Sequence, residues 1–185
     1  MKKSLIRRTL TLSLVCTLAL WICAMAGAFA AQDSPIYALA IDDLPTRSGP
    51  GTKYRETGTH RMLGQNIRII SLAYDHSGVC WVQCEIPYGN QMQRLYTGLK
   101  RFDTSTFDLS AVPAEYASTQ QVKASATSKA MYGPGPGYAV YDKLTVERGL
   151  KVTIIATEGT YAQVEWTTSK QSYRAWVPLN SLPLP

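Results

Sequence analysis

The chain has 185 residues, 45% of them hydrophobic, with 19 Lys and Arg against 13 Asp and Glu. The formal charge of +6 suggests a nucleic-acid partner, but Lys2, Lys3, Arg7 and Arg8 all lie in the first 30 residues, where there is no acid. Without that segment 15 basic side chains face 13 acidic ones, a balance of +2 with no basic stripe, and a nucleic-acid partner is excluded.

Residues 1–30 read as a secretory signal. A basic start precedes an apolar run from Leu10 to Phe29, and Ala28-Phe29-Ala30 supplies the small-x-small cleavage pattern. The run is near the length of a membrane span, so an uncleaved anchor is the competing reading and the one route to a membrane. Ala24, Ala26, Gly27, Ala28, Ala30 and Ala31 favour cleavage. Cys16 and Cys23 follow Leu14-Val15 and Trp21-Ile22 rather than small residues, which argues against lipidation. The mature chain is expected outside the cytoplasm, secreted or wall-associated.

Past the signal the chain repeats itself. Arg47-Ser48-Gly49-Pro50-Gly51-Thr52-Lys53-Tyr54 returns 84 residues later as Met131-Tyr132-Gly133-Pro134-Gly135-Pro136-Gly137-Tyr138. Gln83-Cys84-Glu85 returns as Gln163-Val164-Glu165, and Arg94-Leu95-Tyr96-Thr97-Gly98-Leu99 as Arg174-Ala175-Trp176-Val177-Pro178-Leu179, both shifted by 80. Such a recurrence marks duplicated domains. The boundaries read as residues 36–102, a linker over 103–121, and residues 122–182, each half being expected to fold on its own.

In chain order, the first signal is the glycine-proline turn, a rigid bend with no internal ladder bonds. It lacks the lysine-serine pair and following helix of a phosphate loop. Asn66-Ile67-Arg68-Ile69 then alternates as a half-buried strand does, as does Leu150-Lys151-Val152-Thr153-Ile154 in the second copy. In the next strand Val82 and Cys84 point inward, matched by Ala162 and Val164, while Trp81 and Gln83 face the other way, matched by Tyr161 and Gln163. Eight residues separate Glu85 from Arg94 and Glu165 from Arg174, which predicts the same hairpin twice, with tips near Tyr88-Gly89-Asn90 and Ser169-Lys170. The linker is polar, with a short helical turn expected near Pro113 and with Phe107 and Tyr116 as aromatics able to pin it. No amphipathic helix of convincing length is present. The fold class is all-β, two tandem small barrels after the signal peptide.

Cys80 and Cys84, four apart on one strand, stand about 13 Å apart, beyond the roughly 7 Å that a disulfide allows. With His60 and His76 they match no zinc spacing, and the second copy keeps none of these ligands, so neither a metal nor a cofactor is expected.

The pattern Leu44-x-x-Arg47-Ser48-Gly49-Pro50-Gly51-Thr52-x-Tyr54, then Gly64-x-x-Ile67-x-Ile69, Trp81-x-x-Cys84 and Tyr96-x-x-Leu99, resembles the bacterial SH3-like domain. In the second copy Met131-Tyr132 replaces Arg47-Ser48, while Trp176-Val177 restores the family's Trp-Val. The resemblance implies barrels of roughly five strands and extracellular recognition of cell-wall or peptide ligands, often beside a catalytic domain. No catalytic domain is found here: both mature cysteines lie within the first copy, and there is no Gly-x-Ser-x-Gly elbow or distinctive carboxylate pair. A non-catalytic binding protein is therefore expected, not an enzyme.

Candidate ligand residues are the aromatics Tyr54, Trp81, Tyr96, Tyr138, Tyr161 and Trp176, together with Arg47. Each aromatic has a competing role in sealing a small barrel, and Arg47 has one in pairing with a local acid such as Asp43. If there is a groove, it is expected to join Tyr54 to Trp81 and Tyr138 to Tyr161. Two functions follow: recognition of peptidoglycan stem peptides or other wall polymer, or an inhibitory or adaptor role on a cell-envelope protein.

Overall fold

Alternation places one face of each long strand indoors. Ile67 and Ile69 are buried between exposed Asn66 and Arg68, and Val152 and Ile154 repeat the arrangement. The computed structural model describes residues 34–115 and 120–183. Within them, three short 3-10 turns aside, every regular element is a strand. The signal segment and Tyr116 lie outside the described residues. Among the described residues, no helix is long and apolar enough to cross a membrane.

The first half contributes β1 (Ile36–Leu39), β2 (Leu44–Arg47), β3 (Glu56–His60), β4 (Asn66–Tyr74), β5 (Cys80–Tyr88) and β6 (Gln91–Gly98). The second contributes β7 (Gln121–Lys123), β8 (Ser128–Met131), β9 (Val140–Val146), β10 (Lys151–Glu158), β11 (Tyr161–Thr167) and β12 (Ser172–Pro178). Two six-stranded antiparallel sheets result, β1-β4-β5-β6-β2-β3 and β7-β10-β11-β12-β8-β9, the same order twice. Even the irregularities repeat, with a bulge in β4 between Ile69 and Ser71 and one in β10 between Ile154 and Ala156.

The sheets are not closed barrels, which corrects the sequence expectation. β2 meets β6 only at Arg47 and Tyr96, and β8 meets β12 only at Met131 and Trp176. The sheets curve around their cores, but their edge strands do not pair with each other among the described residues. The hairpins follow the predicted register: Glu85 lies opposite Arg94, and Glu165 opposite Arg174.

Each half encloses its own apolar core. Leu44, Ile67, Ile69, Val82, Cys84 and Ile86 are central to the first, and Val146, Val152, Ile154, Val164 and Val177 to the second. Cys80 and Cys84 are free thiols, Cys84 in the core where burial pushes its pKa up to about 12.

The linker is part of this architecture. Val112 is buried in the first core and Phe107 packs against it, beside a 3-10 turn at Leu109–Ala111. Leu72 donates its N–H to the Pro113 carbonyl at 2.9 Å and accepts from Glu115 N–H at 2.7 Å, while Gln120 accepts from Ile154 N–H at 2.9 Å in the second half. From Ile36 onward the chain forms one compact unit. Val112→Ala is accordingly expected to destabilise the protein by about 1.5–3 kcal/mol in urea unfolding. A variant as stable as the parent would mark this segment as a loose connector.

Candidate functional site

In a sheet covered on one side, the polar residues of β5 would face water. Gln83 and Glu85 instead are 3% and 6% exposed, as deeply placed as the core. Gln83 donates to the Tyr96 hydroxyl of its own half, and Glu85 is met by the glycine-proline turn of the other half. Tyr138 donates its hydroxyl to Glu85, and Tyr54 reciprocally donates to Glu165 Oε2 at 2.5 Å. The backbones exchange in the same way. Met92 N–H donates to the Gly137 carbonyl at 2.9 Å and accepts from Ala139 N–H at 3.0 Å. Ser172 N–H donates to the Lys53 carbonyl at 2.9 Å and accepts from Arg55 N–H at 3.0 Å. Each half thus lays its turn along the sixth strand of the other.

Glycine is required there for two reasons. A Cβ at Gly49 or Gly133 would overlap the ring of Tyr54 or Tyr138, which folds back onto its own turn. Gly51 and Gly135 have φ of 117° and 138°, a region that side chains disfavour.

Two guanidinium groups anchor the seam. Arg94 binds Glu85 Oε1 at 2.7 Å, Glu158 Oε2 at 2.6 Å and the Tyr138 hydroxyl at 2.9 Å, and lies over the rings of Tyr138 and Trp176. Arg174 binds Glu165 Oε2 at 2.7 Å, the linker's Glu115, and the Tyr96 hydroxyl at 3.0 Å, and lies over the rings of Tyr54 and Tyr96. Tyr96 itself donates to Glu115 Oε1 at 2.6 Å and accepts from Gln83 Nε2 at 2.8 Å. Burial by itself would lower the pKa of Arg94, but its two carboxylate partners raise it. Burial would likewise raise Glu85, yet the Tyr138 hydroxyl and Arg94 hold it below the usual carboxylate value. Burial pushes the Tyr138 phenol up to about 12. Glu85, Arg94 and Arg174 are therefore charged and Tyr138 neutral at physiological pH.

Four of the seven sequence candidates, Tyr54, Tyr96, Tyr138 and Trp176, are committed to this seam. The expected aromatic pairs are not brought together in a groove. Tyr161, half-buried, opens β11 opposite Pro178. Arg47 turns from Asp43 toward its own turn: its Nη1 donates to the carbonyls of Tyr54 at 2.8 Å and Thr52 at 3.2 Å, with Glu56 3.9 Å from Nη2.

Arg47 and Trp81 do meet in an open groove of about 710 Å³ in the first half, where β2 diverges from β6. The groove is lined by Arg47, Thr52 and Glu56, by Val79, Cys80 and Trp81, and by the 3-10 turn Leu99–Arg101. Trp81 donates its indole N–H to Asp75 Oδ2 at 3.1 Å, so what it offers the groove is ring surface. Arg47, Lys100 and Arg101 outnumber Glu56 among the charged lining residues.

The sequence reading uses Glu85, Arg94, Glu165 and Arg174 to set the hairpin register and gives them no place among the site candidates, although their identity in both copies is visible. It also passed over Lys100 and Arg101, whose signal is the reverse: the second copy has Asn180 and Ser181 at those places. No family model, curated protein or solved structure matches the chain.

Tyr54→Phe and Tyr138→Phe each remove a hydrogen bond to a carboxylate and are expected to cost about 1.5–3 kcal/mol apiece in chemical denaturation. Equal stability in the double variant would show the seam to be idle. The pH dependence has a definite sign. Glu85 is depressed in the fold, so its contribution is complete above the ordinary carboxylate value of about 4.3 and disappears as pH falls through the lower folded value. The melting temperature is expected to drop steeply below about pH 4, and Glu85→Gln, less stable at neutral pH, is expected to lose part of that slope.

Proposed function

We propose that this chain is an extracytoplasmic, non-catalytic binding protein built of two SH3-like modules, which recognises peptide material of the cell wall. The observation that carries this reading is the groove beside Trp81: it pairs an aromatic face with cationic side chains, and its walls are not consumed by the seam between the halves. A groove of about 710 Å³ suits a short peptide rather than a broad protein face. Further support comes from the export signal and from the glycine-proline, tryptophan and Trp-Val motifs shared with bacterial SH3-like domains.

Retention of the mature protein on purified sacculi tests the proposal. Trp81→Ala is expected to weaken retention about 30-fold, the equivalent of roughly 2 kcal/mol for an aromatic anchor, with the melting temperature nearly unchanged. Tyr54→Ala is expected to lower the melting temperature instead, because its ring belongs to the seam. Parent protein that washes off sacculi but captures an envelope protein through Trp81 would replace this reading with the adaptor role.

A further inference from the structure

Duplication allows each position of the groove to be compared with its twin in the same molecule. The scaffold is retained: the 3-10 turn Leu99–Arg101 recurs as Leu179–Ser181, and the seam residues Gln83, Glu85 and Arg94 recur unchanged as Gln163, Glu165 and Arg174. The groove chemistry is not retained. Arg47, Lys100 and Arg101 correspond to Met131, Asn180 and Ser181, so three cations become none. Trp81 becomes Tyr161, and Glu56 becomes Val140. Two copies that kept the same framework and the same glutamine, glutamate and arginine in the seam differ at every one of these groove positions.

We propose, resting on the binding function above, that the groove of the first half, and not its counterpart in the second, is a ligand site and that this site takes a short peptide through its free carboxylate. In this arrangement the carboxylate lies toward Lys100 and Arg101, and the neighbouring residue packs on the ring of Trp81. Lys100 is exposed and enters no ion pair among the described residues, leaving its ammonium available. Arg101 is already paired with Asp42, and Arg47 is engaged with its own turn, so these two supply field and shape while Lys100 supplies the mobile contact. The second half acts as a scaffold, holding β5 and β6 from behind through Tyr138 and Glu158.

The molecule carries its own reporter. Cys80 lines the groove and is partly exposed, whereas Cys84 is sealed in the core. Alkylation of the folded chain should therefore proceed at Cys80 and spare Cys84.

The experiment is calorimetric titration of the full mature chain with a soluble stem tetrapeptide and with the same peptide amidated at its carboxylates, alongside alkylation of Cys80 in the presence of each. One site per chain is expected. The acid should bind at least about tenfold more tightly than the amide, with the preference diminished by salt and by Lys100→Gln. The acid alone should slow Cys80 alkylation, and Tyr161→Ala should change nothing. Two equivalent sites, equal affinity for acid and amide, or failure of the acid to bind or to protect Cys80 would each overturn the proposal. Sacculus retention together with equal acid and amide affinity would leave the wall-binding function standing and remove only the carboxylate assignment.

Discussion

A guanidinium group taken out of water must find its full complement of acceptors, or the fold loses several kcal/mol. This chain buries two, Arg94 and Arg174, and much of its organisation follows from satisfying them. Neither hairpin does so alone. Glu85 and Glu165 are cross-strand partners within each hairpin, but the remaining donors of Arg94 reach Glu158 and Tyr138 of the other half. The tyrosine that completes each cluster can approach only because glycine sits beneath its ring, so the glycine-proline turn is a docking device between the halves. Hydrogen bonds of this kind are directional. They fix a single mutual orientation of the two sheets, which an apolar patch of equal area would leave free to slide.

That arrangement decides which surfaces of β5 and β6 are covered. The outward faces of β5 and β6, with Gln83, Glu85, Arg94 and Tyr96, are spent on the seam. Two openings remain among the described residues: a pocket of about 300 Å³ on the seam, lined by Gln83, Arg94, Gln163 and Trp176, and the larger groove at the end of the same strands where β2 leaves β6. Trp81 and Gln83 are neighbours on one strand face, yet one serves the groove and the other the seam. Gln83 is tied to the Tyr96 hydroxyl, whereas Trp81 is tied to Asp75.

Much of the fold was legible because alternation and repetition are local properties. Ile67 and Ile69, Val82 and Cys84, and the equal Glu–Arg spacing required nothing beyond their own strands. The open edges of the sheets were not legible, since closure depends on how far β2 follows β6, and one shared pair at Arg47 and Tyr96 is a tertiary outcome. Tyr54 reads from the sequence either as a ligand residue or as a ring sealing its own small barrel, and the structure sets its hydroxyl on the other half. An aromatic ending a surface turn looks equally suited to a ligand or to a partner domain, and only the placement of Glu165 at its hydroxyl separates the two. The linker's short helical turn near Pro113 and its pinning by Phe107 were legible, whereas its burial of Val112 was not. Its two key apolar residues, Phe107 and Val112, show no period, and backbone bonds to β4 leave no trace in sequence.

The single linker also accounts for the places where the duplication is imperfect. Two halves related by an approximate twofold need two equivalent carboxylates to complete their guanidiniums, but a linker passes the seam only once. It delivers Glu115 to Arg174, and the same carboxylate accepts from the Tyr96 hydroxyl. On the opposite side no linker residue bonds Arg94 among the described residues, and Arg94 draws on Glu158 from the end of β10. The residue equivalent to Tyr96 there is Trp176, whose indole covers Arg94 but whose N–H finds no partner. A tyrosine suits the side where an acceptor stands opposite its hydroxyl. On the side without one, a larger ring fills the volume, and the asymmetry of Tyr96 and Trp176 follows from the topology of a chain that can join its halves only once.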